Sequence, residues 1–439
     1  MTTDPYLKTD LYDVAIVGYG PAGETLANLL GQAGKKVIVF EKEESVYHAP
    51  RASHLDGEVM RIYQSIGLAE KIEKVTIGAK GYHFLNAEGR LLTELVRRDG
   101  KGPHGWNHHY RFHQPVLEGL LRKGAERFGN VHVHLCHEVT RIEQNEHHSA
   151  ILAKNRKDGT TRETKALYTI GCDGARSTVA KWMGTVKRDV GLHEPWLVVD
   201  IKLKRQVNLP NTGIQYCEPA RPTTFIPYVG ARDRFRWEMK VLPGETKEEL
   251  EEPERVWELL SRWLTPEDAE LERAAVYMFH STITERWRNN RLFLAGDAAH
   301  QMPPFLGQGM CAGIRDVANL SWKLAINTPN NPTGYTLSLD EMTAIAEIAR
   351  ENHIHVFCDE VYKGLEFDGN RLPWFADVYE NAVSLGVMSK AYGLSGLRIG
   401  WIGTQNKEIY DKMIGFKNYT SICSSAPSEF LSMVALSQL

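Results

Sequence analysis

An apolar run, Tyr12 to Val17, ends at Gly18-Tyr19-Gly20-Pro21-Ala22-Gly23; Glu24 to Ala33 follows with helical periodicity, and Gly34 supplies a C-terminal stop. Val37 to Phe40 reads as a second strand, closed by Glu41. Strand, glycine turn, helix, strand and acid in this order predict a Rossmann-like α/β start. Gly18, Gly20 and Gly23 let backbone N–H groups approach a pyrophosphate at a helix N-terminus, and Glu41 is placed to accept hydrogen bonds from an adenosine ribose. The pattern alone does not separate FAD from NAD(P), and glycine turns also serve plain packing.

Two later strand ends bear on that choice. Ala166 to Ile170 leads into Gly171-Cys172-Asp173-Gly174, and Leu292 to Leu294 leads into Gly296-Asp297. Each sets a carboxylate beside a glycine, which suits a ligand whose ribityl hydroxyls need acceptors and whose phosphates need close backbone. Either aspartate alone reads as a turn former. Between these islands, Asn86 to His109 and Asp189 to His280 carry alternating runs (Trp196 to Leu203, Gly213 to Cys217, Thr223 to Val229, Phe235 to Val241) that predict an inserted antiparallel sheet. Its aromatic residues Trp196, Tyr216, Phe225, Tyr228 and Trp237 are candidates for a pocket lining or for ordinary sheet packing. Glu245 to Glu258 reads as an exposed acidic turn and helix.

Composition narrows the function classes. The 439 residues, 42% of them hydrophobic, suffice for two to three domains with full cores. A formal net charge of -3 gives no bulk field to attract nucleic acid or an anionic membrane. Six scattered cysteines and seventeen histidines show no metal-ligand spacing, so reduced, mostly buried thiols are expected. The N-terminal MTTDPYLKTD lacks an apolar targeting core, and no apolar run approaches the ~20 residues that span a bilayer; the expectation is a cytoplasmic protein.

Taken together, these motifs resemble the single-component FAD-dependent aromatic hydroxylases, the group of para-hydroxybenzoate and 3-(3-hydroxyphenyl)propionate hydroxylases, over about Asp10 to Ala325. Arg51-Ala52, Arg61 and Ile66-Gly67-Leu68 match the family's segment after the second strand, and Arg111 to Gln114 with Leu117-Glu118 match its R-x-x-Q-x-x-L-E helix start. The resemblance implies that Arg51 lies along the flavin, Gln114 faces it, Asp173 and Gly174 serve flavin and reduced nicotinamide, and Asp297 holds the ribityl chain. Pro304, Gly307, Gly309 and Met310 would run past the isoalloxazine, with the next helix dipole supporting a reduced, anionic flavin. The implied reaction is hydroxylation of a small phenolic substrate with NAD(P)H and O2 through a flavin C4a-hydroperoxide. No base for the phenol is nominated.

At Ala325/Ile326 the wording changes without a linker. Pro329 and Pro332 end the preceding helix. Ser338 and Glu341 then read as a capping box, with Met342, Ile345, Ala346 and Ala349 on one helical face. Strands are expected at Ile354 to Cys358, delivering Asp359, and at Ala382 to Met388, delivering Ser389-Lys390. NNPTG, D-x-x-Y and SKAYGLSGLRIGW resemble fold-type I pyridoxal phosphate aminotransferases. By that resemblance Asn331 and Tyr362 bond the ring hydroxyl, Asp359 the ring nitrogen, Lys390 forms the Schiff base, and Ser389 and Arg398 hold the phosphate.

The expected architecture is therefore an α/β chimera. Residues 10–85, 110–188 and 281–325 form the FAD-binding domain, 86–109 and 189–280 a substrate-side β-rich domain, and 326–439 an incomplete transferase large domain. The leading function is aromatic monooxygenation; the alternatives are pyridoxal phosphate chemistry through Lys390, and a recombined chain with residual cofactor binding but no turnover. Substrate identity, NADH or NADPH, and oligomeric state stay open.

Overall fold

A computed structural model describes residues 11–47, 51–96, 100–323, 336–351, 355–366, 369, 371–420 and 426–437. The chain divides into two compact units, Met1–Ser321 and Trp322–Leu439.

In the first unit, Leu11–Val17 lies at the centre of a parallel sheet, between Thr161–Gly171 and Val37–Phe40. Val131–His134 extends the sheet beyond Val37–Phe40, and Leu292–Leu294 extends it beyond Thr161–Gly171. Val14, Ala15, Ile16 and Val17 are all buried, as a strand covered on both faces requires. The helix Pro21–Gln32 starts with Pro at its first turn and packs against the helix Gln114–Ala125, where Asn28 Nδ2 donates to the Leu121 carbonyl at 2.9 Å.

A second sheet of eight strands, mostly antiparallel, contains all four strands expected between 189 and 280, but with longer partners. Lys187–Leu203 pairs along its length with Ala269–Thr284, a 16-residue strand the sequence reading did not single out. Gly81–Leu85, assigned above to the FAD-binding domain, instead pairs in parallel with Gly213–Tyr216 and belongs to this sheet. Its hydrogen bonds go to the sheet edge that Gly213, lacking a Cβ, leaves open against the Tyr82 ring.

The period of two decides what each face of this sheet presents. Leu197, Val199, Ile201, Ile214, Tyr216, Phe225, Phe235, Trp237 and Met239 form one core with Leu250, Val256 and Leu260 from the helices Lys247–Glu251 and Pro253–Leu260. Tyr216, Phe225 and Trp237 follow the packing alternative and not the pocket one, because they share the face covered by those helices. One expectation fails here. Glu245 to Glu258 is not merely exposed, since its apolar positions bury into that core. Of the five aromatic candidates, Trp196 alone faces the opposite, inner side, where its ring meets Phe305 at 5.6 Å.

The second unit holds a three-stranded sheet: Val356–Asp359 parallel to Ala382–Val387, which pairs antiparallel with Gly400–Gly403. The helix Leu339–Glu351 buries Met342, Ala346 and Ala349, with Ile345 packed beside them, as the periodicity predicts. The capping box is present: Ser338 Oγ accepts from the Glu341 amide at 3.2 Å, and Glu341 Oε2 accepts from the Ser338 amide at 2.8 Å. Ser338→Ala should therefore cost about 1 kcal/mol, seen as a lower denaturant midpoint for this unit; an unshifted midpoint would show that the cap contributes nothing.

Among the described residues no helix is long and apolar enough to cross a membrane, and no cluster of metal-ligating side chains occurs. Cys136, Cys311 and Cys358 are buried thiols as expected, whereas Cys217 is exposed.

Candidate active site

Three loops of the first unit gather at the carboxyl edge of the parallel sheet, the position where such sheets bind nucleotides. The first is the glycine turn. Gly18 adopts φ +96°, and a Cβ there would lie 2.5 Å from the Cys172 carbonyl oxygen, so only glycine lets the turn cross the strand end at 172–173. A Cβ on Gly23 would fall 2.1 Å from the Gly18 carbonyl oxygen, whereas one on Gly20 would meet nothing within 4 Å. Gly20 is the N-cap of a 12-residue helix and makes no side-chain cap, leaving first-turn amides for an anion.

Glu41 Oε2 accepts from the Tyr19 amide at 2.7 Å and Oε1 from the Glu43 amide at 2.9 Å. A carboxylate has about four lone-pair directions, so acceptor capacity remains for ribose hydroxyls. Behind the turn, buried Glu24 accepts from Arg122 Nε at 2.7 Å while Arg122 Nη2 donates to the Tyr19 carbonyl at 2.8 Å. Burial pushes the Glu24 carboxyl well above the usual range, with Glu118 adding to the rise and Arg122 opposing it.

The second loop follows Gly171. Asp173 Oδ2 accepts from the Thr178 and Val179 amides at 2.6 and 3.2 Å, capping the helix Thr178–Met183, and Oδ1 is buried with no hydrogen-bond partner. Burial raises its pKa against the pull of Ser177 and those amides. Gly174 has φ +76° and open space on its Cβ side.

The third loop runs from Gly296 to Met310. The Gly296 amide donates to Asp316 Oδ2 at 2.9 Å, an oxygen that also meets His300 Nε2 at 2.7 Å, and Gly296 packs on Gly313 too closely for a Cβ there. Asp297 next to it is exposed. Its crowded surroundings still push the carboxyl up, with Arg51, His300 and Lys187 pulling it back, and solvent screens much of that shift. Pro304–Leu306 forms a 3-10 turn ended by Gly307 at φ +65°, where a Cβ would press on His54 at 2.9 Å. His54 Nδ1 meets the Gly307 carbonyl at 3.0 Å and its Nε2 meets His109 Nδ1 at 2.9 Å. Gly309 opens the 15-residue helix Gly309–Lys323, and Met310 packs beneath it against Leu55, Cys311 and Ile314.

A strap at Arg51-Ala52 joins these loops to the inner face of the second sheet. Gln114 Oε1 accepts from both the Arg51 and Ala52 amides, at 2.9 and 2.7 Å, while its Nε2 donates to Glu118 at 2.7 Å. From the other side Arg236 Nη1 donates to the Arg51 carbonyl at 2.8 Å. Gln114→Leu would keep the volume but leave two part-buried amides without their acceptor, costing about 1 kcal/mol for each lost hydrogen bond. A melting temperature within a degree of wild type would disprove that role for Gln114.

The family model for FAD binding domains matches residues 11–330. The chain belongs to this FAD-binding family. It is 38% identical over 349 residues to a probable NADH-specific resorcinol 4-hydroxylase of Rhodococcus jostii (strain RHA1), covering 79% of this chain and 64% of the relative. It is 37% identical to a 3-(3-hydroxy-phenyl)propionate/3-hydroxycinnamic acid hydroxylase of Mycolicibacterium gilvum (strain PYR-GCK), covering 72% and 54%. The chain thus spans less than two thirds of either relative. Aklavinone-11 hydroxylase, solved as a ternary complex with FAD and aklavinone, superposes with a TM-score of 0.64 at 25% identity, covering 74% of this chain and 63% of that one. The p-nitrophenol 4-monooxygenase of Pseudomonas putida DLL-E4 shares the fold, with a TM-score of 0.65 at 22% identity over 72% and 80% of the two chains.

A second family model, aminotransferase class I and II, matches residues 308–438, the stretch whose wording resembles those enzymes. There Lys390 Nζ lies 5.6 Å from the Tyr362 ring centroid, and Asp359 ends its strand as expected. Lys390 and Arg398 are both exposed, Arg398 at φ +50° after the turn Ser395–Leu397, and Asn331 lies outside the described residues. An exposed lysine and an exposed arginine do not fit an enclosed pyridoxal phosphate site, and the chemistry of that group is not assigned to this chain.

Within the FAD-binding unit several residues escaped the sequence reading. Asp316 sits twenty residues beyond Gly296 on a helix, with no local pattern to flag it. His54 stands between Ser53 and Leu55 with no spacing that ties it to His109 or Gly307. Arg236 and Asp200, however, were visible as charges alternating with apolar residues, a pattern that ordinarily marks a solvent face.

Proposed function

We propose that this chain carries the catalytic part of a flavin-dependent monooxygenase that hydroxylates a phenolic ring with NAD(P)H and O2. The support is the convergence of three loops on one sheet edge, opposite the polar inner face of a second sheet, in a chain that is 38% identical over 349 residues to a probable resorcinol 4-hydroxylase and 37% identical over 319 residues to a 3-(3-hydroxy-phenyl)propionate/3-hydroxycinnamic acid hydroxylase.

The residues present fit FAD. The open helix end at Gly20 and the close turn at Gly18 and Gly23 would take the pyrophosphate, and Glu41 the ribose. Asp297 and the Gly296 backbone would hold the ribityl chain, with Asp173 and Gly174 beside it. Pro304, Gly307, Gly309 and Met310 would line one side of the ring, with Arg51 on the strap facing them. When bound, the flavin supplies the redox chemistry, taking hydride equivalents from the nicotinamide and activating oxygen. The chain's own part is to fix the ring between the strap and the 304–310 turn, to keep water out, and to aim the N-terminus of Gly309–Lys323 at developing negative charge. NADH or NADPH would be the reductant and a small phenol the substrate.

The test is direct. Protein purified with FAD should be yellow and should oxidise NAD(P)H faster when a hydroxylated arene is added, with a hydroxylated product recovered. A protein that stays colourless in excess FAD would sink the reading.

A further inference from the structure

The inner face of the second sheet carries one acid whose partners do not account for it. Along Arg234–Lys240 the residues on this face are Arg236, Glu238 and Lys240, whose partners on Lys187–Leu203 are Asp200, Val198 and Trp196. Arg236 holds the Arg51 carbonyl, and Trp196 touches Phe305 of the 304–306 turn. Glu238 and Val198 therefore sit midway between the two elements that would flank a flavin ring. On its other side Glu238 pairs with Thr224, whose hydroxyl is turned to Gln215 Oε1 at 2.6 Å.

The side chain of Glu238 is 9% exposed, and its closest charged group is Arg236 Nη1 at 3.8 Å, beyond hydrogen-bond reach. Among the described residues no side chain or amide donates to its carboxylate. Asp200, at a similar depth, by contrast accepts two hydrogen bonds from Arg236 at 2.7 and 3.2 Å and is ion-paired with Arg273 at 2.6 Å. A carboxyl this little exposed and without a protein donor is costly to keep charged. Neither of its oxygens is completely shut off, so a donor from outside the protein can reach them.

We propose that Glu238 receives a ring hydroxyl of the aromatic substrate, accepting its O–H hydrogen bond and taking its proton as the ring is activated. This rests on the monooxygenase reading above. The phenol O–H bond breaks, the proton bonds to a Glu238 Oε atom, and the electron pair stays on the phenolate oxygen, beside the charges of Arg236 and Arg111. Burial pushes the Glu238 carboxyl up, Arg236 is the largest opposing influence, and Asp200, Arg111 and Arg273 complete the charged groups around it. A raised carboxyl is closer to a phenol in basicity and so a more effective proton acceptor. It acts when ionised, so kcat/KM should fall as the pH drops through a value above the ordinary glutamate range.

The test uses the FAD-loaded chain. Glu238→Gln is isosteric and removes a buried charge, so FAD content and melting temperature should hold. Its kcat/KM for phenols should drop about 10²-fold and its acidic limb should vanish. Glu238→Asp should retain the limb with a lower kcat/KM, which keeps the test alive if the glutamine protein does not fold. Binding gives a readout independent of turnover: wild type should prefer a hydroxyarene over its methyl ether, and Glu238→Gln should lose that preference. Unchanged kcat/KM and pH profile in either variant, or an unchanged preference, overturns the assignment. A wild-type protein that binds FAD and discriminates the methyl ether but never hydroxylates refutes the monooxygenase reading and leaves the Glu238 contact standing.

Discussion

Arg236→Met should lower the stability of the FAD-binding unit by about 3–5 kcal/mol, the largest loss expected from any single side chain outside its apolar cores. The guanidinium is almost wholly buried, and its contacts include Asp200 Oδ1 at 2.7 Å, Asp200 Oδ2 at 3.2 Å, and the Arg51 carbonyl at 2.8 Å. Methionine fills much of the volume but leaves Asp200 with only Arg273, whose Nη2 approaches to 2.6 Å without hydrogen-bond alignment. At roughly 2–4 °C per kcal/mol for a domain of this size, the melting temperature should fall on the order of 10 °C.

The sign can be checked with a second change. Breaking a buried pair by removing one partner strands a charge, whereas replacing both by apolar groups of similar volume is often neutral. Arg236→Met with Asp200→Leu should therefore recover part of the loss, although Arg273 then loses its carboxylate and keeps Tyr277. Flavin affinity should not recover, because the strap has still lost its hold on the Arg51 carbonyl. A single mutant that melts with the wild type would show that the pair contributes nothing.

The same strand shows how far the sequence could be read. Arg234-Phe235-Arg236-Trp237-Glu238-Met239-Lys240 alternates cleanly, and alternation correctly marked a strand with one apolar face. Alternation left pocket lining and plain packing open for the aromatic residues, and packing holds because a sheet with helices on one side has its apolar face against them. Phe225, Tyr216 and Trp237 are spent on that core. The charged face looks inward, and a linear pattern cannot distinguish bulk water from an internal chamber.

The parallel sheet was legible for a different reason: three of its strands, Leu11–Val17, Thr161–Gly171 and Leu292–Leu294, end at or just before a glycine whose φ is positive or whose Cβ has no room, and a glycine after an apolar run is visible in the sequence itself. Gly23 packs on Gly18 within the turn itself, whereas Gly18 is held against Cys172 from the next strand end. Contacts closed by residues far along the chain, such as Asp316 on Gly296 or His54 under Gly307, left no local mark. Gln114 was found only through its family motif, and the structure gives it a reason: its one oxygen serves two consecutive amides of the strap.

Gly23→Ala tests whether that turn must be as tight as it is. The added methyl would stand 2.1 Å from the Gly18 carbonyl oxygen, with the Ile16 side chain behind it at 3.4 Å. The first obstacle is backbone, so it cannot be relieved by a rotamer change. Either the helix Pro21–Gln32 slides outward or the Gly18 peptide tilts, and both move the amides that would meet a pyrophosphate. A displacement near 1 Å at such a site costs about 10²-fold, so the protein should emerge nearly colourless and bind added FAD at least that much more weakly, with overpacking costing a further 1–3 kcal/mol of stability. Gly20→Ala separates the two effects. Its methyl meets no protein atom within 4 Å and its φ of -95° suits alanine, so stability should hold while the space in front of the helix N-terminus shrinks. Weak FAD binding with a normal melting temperature at Gly20, against loss of both at Gly23, would place the phosphate-facing surface at Gly20. Equal FAD affinity in all three proteins would mean that the pyrophosphate does not bind at this helix end.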